Sequence, residues 1–165
     1  MLRECSVMIS QTALLVRRLA VVIVLAATVI GCSSQPTTRP SVSTSTADQA
    51  VMIAMQQVGV PYRYGGATPT GFDCSGLVHY SYSRAGKIVP RTTATLWQGM
   101  QPVAGNQIQA GDILFFRISG KMSHVGMYIG GDQFVHAPST GKVVSVGSLR
   151  SDFYRKALIR AGRPR

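Results

Sequence analysis

The chain carries Phe72-Asp73-Cys74-Ser75-Gly76 where a loop rich in glycine and proline gives way to a helical pattern. A thiol at a helix N-terminus meets orphan N–H groups and the positive end of the macrodipole. Both favour the thiolate and lower its pKa from about 8.5. The same N–H groups could form an oxyanion hole for a tetrahedral intermediate. Such a nucleophile needs a base, and the candidates are His79, His124 and His136. His79 follows Cys74 by five positions on one helix, about 140° around the axis, so it points elsewhere and reads as a surface histidine. His124 opens the segment HVGMYIG, and His136 sits on the next strand-like segment, across Gly130-Gly131-Asp132. Neighbouring antiparallel strands bring such side chains within reach of each other. With His124 as base and His136 as its orienting partner, a nucleophile–base–orienter set is complete.

Plainer readings stand beside this one. A lone cysteine is often a small buried hydrophobe. Asp73 suits a helix N-cap as well as a substrate ligand, and Ser75 suits an ordinary first-turn residue. Tyr62 could simply pack, and His136 could simply satisfy a buried hydrogen bond. Asp112 and Asp132 read as turn residues. Cys74, His124 and His136 are also ligand types that catalytic zinc uses, but the chain has no second cysteine nearby and no HExxH pair. No metal and no cofactor is expected.

Positioning these groups needs an α+β domain. Val51, Ala54, Met55 and Val58 recur at helical spacing behind Asp48 as cap, and Gly59 with Pro61 stops the pattern. The segment PYRYGGATPTG is a loop. A second helix runs from near Asp73 to Gly86 with Cys74, Leu77, Val78 and Tyr82 inward, and a brief third runs from near Thr93 to Gly99. Beyond Gly111 the pattern changes to strands: ILFFRI, HVGMYIG, QFVHAP and VVSVGS, separated by SGK, GGD and STGK turns. Connections this short exclude parallel crossovers and imply an antiparallel sheet.

The chain has 165 residues, and its 17 Lys plus Arg against 6 Asp plus Glu give a net charge of +11. A surplus of that size attracts something anionic. Arg17 and Arg18 precede an apolar run over residues 19–30, then Gly31-Cys32. This is the pattern of a secretory signal peptide. Twelve residues of helix rise only about 18 Å, too little for a hydrocarbon core of roughly 30 Å. The sequence VIGC resembles a bacterial lipobox, which makes residues 1–31 a leader and Cys32 a lipidated N-terminus. Met8 is an alternative start. Residues 32–47, crowded with Ser, Thr and Pro, follow as a flexible linker, and residues 48–165 as one working domain. Losing the leader removes three arginines and one glutamate, so +9 stays with the remainder. Cys74 is then the one thiol left in a compartment that oxidises pairs. Nucleic acid is not an expected partner of an exported domain that lacks a basic–aromatic pattern.

Taken in order, GVPYRYGG, GFDCSGLV, VPRTTATLWQGM, GDILFF, HVGMYIG and FVHA resemble the NlpC group of papain-like cell-wall cysteine peptidases. PRTT and the single anchored domain resemble the Spr (MepS) murein endopeptidases within it. The resemblance implies a papain-like minimal core, with N-terminal helices packed on an antiparallel sheet and the nucleophile at a helix N-terminus. It implies that Cys74 attacks an amide, His124 takes the proton and His136 orients His124. It implies substrate contacts from Tyr62, Asp73 and Ser75. The family often has tryptophan where Tyr64 stands. The implied substrate is a peptidoglycan stem peptide, cut at the D-alanyl–diaminopimelate cross-link or at γ-D-glutamyl–diaminopimelate. The implied setting is the cell envelope: a monomeric outer-membrane lipoprotein facing the periplasm, held to the membrane by its N-terminal lipid. A wall-binding module without catalysis is the alternative on the same fold.

Overall fold

The computed structural model describes residues 44–165. The leader, Cys32 and most of the linker lie outside the described residues. Helix α1 spans Thr46–Met55. Ser45 caps it, and Asp48 is the reciprocal member of a capping box rather than the cap itself. Its buried face is also not the expected one. Ala50 and Ala54 are fully buried, whereas Met55 and Val58 stay exposed. Small alanines let the helix lie close against its neighbour, which long side chains would prevent.

Strands β1 (Ala67–Thr68) and β2 (Gly71–Phe72) pair as a short ribbon leading into helix α2, Cys74–Arg84. Asp73 caps α2, and Cys74, Leu77, Val78 and Tyr82 form its buried side, as the spacing predicts, joined by Ser81. Helix α3 spans Thr93–Gly99, with the capping box Thr92–Thr95 at its start. The rest is mostly sheet: β3 (Met100–Val103), β4 (Ile113–Ile118), β5 (Lys121–Gly130), β6 (Gln133–His136) and β7 (Ser145–Ser148). The short helix α4 (Asp152–Ala157) then feeds β8 (Leu158–Pro164).

Six strands form one antiparallel sheet in the order β3-β8-β4-β5-β6-β7. Each face of it packs a separate core. Ile113, Phe115, Val125, Met127 and Val135 join Leu77, Val78 and Tyr82 of α2. Leu114, Phe116 and Phe134 join Ala157, Ala161 and, at the margin, Tyr154. Coverage on both faces explains why Ile113, Leu114, Phe115 and Phe116 are all fully buried in one uninterrupted apolar run. At about 25 cal/mol per Å² of apolar surface, such a run is a main source of the domain's stability.

Candidate active site

The site begins at the cap of α2. Asp73 Oδ1 accepts from the Gly76 N–H at 2.6 Å and from the Ser75 hydroxyl at 3.1 Å, and Oδ2 accepts from the Gly65 N–H at 3.0 Å. Arg91 grips the same carboxylate with both prongs, Nη1 to Oδ1 at 2.9 Å and Nη2 to Oδ2 at 2.8 Å. It also donates to the Ser75 hydroxyl oxygen and to the Gly66 carbonyl. Burial alone would push the Asp73 carboxyl up. The Arg91 guanidinium and the Gly76 N–H outweigh it and hold the group below its ordinary value. Asp73 is thus an ionised clamp that ties α2 to the PYRYGG loop. Gly76 is required here, because a Cβ at that position would overlap the Gly66 carbonyl oxygen.

The clamp seats Cys74 against β5. Its sulfur lies 3.9 Å from the Ser123 carbonyl and 3.9 Å from Thr93 Oγ1, with the Val125 N–H also directed at it. Residues 123 and 125 point their main-chain groups to the side where β6 would pair. The β5–β6 register starts at Met127↔Val135 and β6 ends at His136, so this stretch of β5 has an open edge. Cys74 fills it. His124 pairs with Phe116 on the opposite side and turns its ring onto the Phe116 face of the sheet, where its Nε2 lies 2.8 Å from Nδ1 of His136. Both histidines are buried, and Phe134 and Tyr154 pack edge-on against His136.

These environments set the protonation. Burial pushes the Cys74 thiol up, against partial relief from the Val125 N–H and the Thr93 hydroxyl. Burial also pushes His124 down to about 3, with His136 adding to the effect, and burial alone pushes His136 down to about 4. The lowered thiol pKa expected from the helix terminus is therefore not found. In this geometry desolvation outweighs the dipole, and the resting pair is neutral thiol with neutral imidazole. Among the described residues no hydrogen bond joins Cys74 to His124. Catalytic contacts of this kind are often long until substrate binds.

A groove of about 440 Å³ opens over Cys74, lined by Tyr62, Tyr64, Asp73, Ser75, Arg91 and Thr93 among others. Tyr62 is anchored through its N–H to the Lys142 carbonyl at 2.8 Å. Burial, and then the neighbouring Cys74, raise its phenol pKa. The structure therefore brings Tyr62, Asp73, Cys74 and Ser75 to one groove, with His124 and His136 behind the β5 edge. His79 lies elsewhere, its Nδ1–H donating to the Val89 carbonyl at 2.7 Å. It is half-buried and tethers α2 rather than facing solvent freely. Among the described residues no three His, Cys, Asp or Glu side chains are grouped to hold a metal ion. Sequence reasoning missed Arg91, Thr93 and the Ser123 carbonyl as neighbours of Cys74 and its cap. Arg91 and Thr93 lie in PRTT, whose only distinguishing signal was its place in the ordered set of motifs.

A thiol at a helix N-terminus, seated on an antiparallel sheet beside a buried histidine pair, defines a papain-like arrangement. The chain belongs to the NlpC/P60 family, whose sequence profile matches residues 59–163. It is 41% identical over 115 residues to murein DD-endopeptidase MepH of Escherichia coli, a match covering 66% of this chain and 42% of that one. It is 34% identical over 116 residues to the gamma-D-glutamyl-L-lysine dipeptidyl-peptidase of Bacillus subtilis, covering 68% and 39%. The chain thus spans less than half the length of these curated relatives. A lipoprotein-like NLP/P60 family structure from Staphylococcus aureus superposes with a TM-score of 0.65 at 36% identity, covering 72% of this chain and 41% of that one.

Proposed function

We propose that this chain is a peptidoglycan endopeptidase that hydrolyses a stem-peptide amide through a Cys74 thioester. The single observation that carries the reading is Cys74 on the open edge of β5, flanking a buried His124–His136 pair, in a chain of this family. His124 serves as base through Nδ1. For that, its Nε2 carries hydrogen and donates to Nδ1 of His136, which keeps the ring oriented. As the thiol sulfur bonds to the carbonyl carbon, its proton passes to His124 Nδ1, and the oxyanion forms near the α2 N-terminus. His124 returns the proton to the departing amine as the C–N bond breaks. Water, losing its proton to His124, then cleaves the thioester and regenerates the thiol.

The proposed bond is the D-alanyl–diaminopimelate cross-link, which the DD-endopeptidase name of MepH supports. The name of the Bacillus relative favours the γ-D-glutamyl bond within a stem instead. Cys32 as lipid anchor, a periplasm-facing outer-membrane location and a monomeric state belong to the same proposal, with the basic surplus facing wall carboxylates. Digestion of purified sacculi with the full chain, read by mass spectrometry of the fragments, tests it. Loss of cross-linked dimers with intact stems is expected; cut stems would move the site to the γ-D-glutamyl bond. Release no greater than from Cys74→Ala sinks the hydrolase reading. Absence of fatty-acid label at Cys32 would refute the anchor.

A further inference from the structure

A second groove, of about 390 Å³, opens on the other side of the catalytic residues. Its lining includes His124, His136, Ser139, Lys142, Phe153 and Tyr154. The division of the catalytic residues between the two grooves is informative. Cys74 lines the first and not the second, while His124 lines the second and not the first. The two share a wall, because the Tyr62 N–H of the first donates to the Lys142 carbonyl of the second. Val144 and Val60 extend that link by their own main-chain bond, at 2.8 Å.

Chemistry assigns a direction to this arrangement. The acyl half of a cleaved amide stays bonded to the thiol, so it occupies the groove that holds Cys74. The amine half receives its proton from the imidazole, so it departs along the groove that His124 lines. The second groove is also charged. Lys142 is among its lining residues and no Asp or Glu is, and Lys142 makes no ion pair among the described residues. Phe153 is 57% exposed and Val146 39% exposed, which gives the groove an apolar border for a hydrocarbon chain.

We infer that this second groove is the leaving-group subsite and that Lys142 receives a carboxylate of the amine-side residue. The inference rests on the peptidase reading above. In both candidate bonds the amine belongs to diaminopimelate, whose side chain ends in a carboxylate-bearing carbon where lysine has only hydrogen. Lys142 is thus a specificity residue that selects diaminopimelate over lysine in the wall peptide. A charge-assisted contact, weakened by the exposure of Lys142, corresponds to a preference of about tenfold.

The test uses the full chain and two stem peptides that differ only in the amine-side residue, diaminopimelate or lysine. The ratio of their kcat/KM values is expected to be about ten. It falls to about one in Lys142→Met and persists in Lys142→Arg. A second readout needs no turnover: free meso-diaminopimelate, but not lysine amide, which has no carboxylate, shifts the imidazole NMR signals of His124 and His136, and Lys142→Met removes the shift. A shift in a chain that cleaves neither peptide would uphold the subsite while the peptidase reading fell. Cleavage with no preference and no shift would overturn the subsite and leave the peptidase standing. A preference that survives Lys142→Met would overturn the role of Lys142.

Discussion

Replacing Arg91 with methionine should loosen the seat of the nucleophile before it touches any chemistry. The Arg91 side chain is 32% exposed and that of Asp73 13% exposed, so water screens one end of the pair only. Removing one partner of a fully buried pair costs about 3–5 kcal/mol. Partial exposure, and the Gly76 and Gly65 N–H groups that remain on Asp73, reduce this to about 2 kcal/mol. In a domain of this size that lowers Tm by roughly 8 °C. Arg91 holds the Asp73 pKa below its ordinary value, so the stabilisation is present above the unfolded value of about 3.9 and is lost as pH falls through the folded one. Urea unfolding of the full chain should therefore show the whole deficit at pH 7 and a narrowing one below about pH 4. Asp73→Asn placed in the same protein should recover part of it, giving a coupling energy of about 2 kcal/mol. A deficit under about 0.5 kcal/mol at pH 7, or one that is the same at pH 3, would show that the fork does not hold α2 in place.

Gly76→Ala should cost about 3 kcal/mol and slow Cys74 chemistry, because the added methyl group collides with the Gly66 carbonyl; thermal unfolding within a degree of wild type would refute the close contact. Burial raises the Cys74 pKa, so alkylation by iodoacetamide should be slow at neutral pH and climb through a midpoint above that of a free thiol; a plateau reached below pH 8 would instead reveal a thiolate stabilised in the resting state. His136→Ala should lower kcat about 100-fold with KM little changed, since it frees the His124 ring proposed as base; an equal loss in KM would make His136 a substrate contact.

Legibility in the sequence followed how local each signal was. Helix α2 and its Asp73 cap, α3 and the runs of β4 to β7 rest on residues within a turn or a hairpin of one another, and they were readable. Strands β3 and β8 were not. Their pairing joins Met100 to Pro164 and Val103 to Ala161, so the partners lie far apart in sequence. The segment LIRAGRP also has little β-branching and holds a glycine and a proline. The cap of α1 was hidden inside a Ser/Thr-rich run, where one serine looks like the next. Cys74, His124 and His136 could be picked out by residue type, but their environment could not. No sequence pattern reports that the thiol would be 8% exposed and the histidines nearly sealed, and this burial reverses the expected direction of the thiol pKa.

The open edge of β5 has a mechanical consequence. Ser123 and Val125 offer their main-chain groups to the sulfur, and the residue between them carries the base. Three consecutive positions of one strand thus hold the seat of the thiol and the proposed base. When the sheet bends, seat and base travel together. Cys74 itself rides on α2, so alignment depends on how α2 sits against this edge as well as on register within β5. A residue inserted at the Ser119-Gly120 turn lengthens a hairpin tip, whereas one inserted beside His124 would turn the imidazole to the wrong face of the sheet.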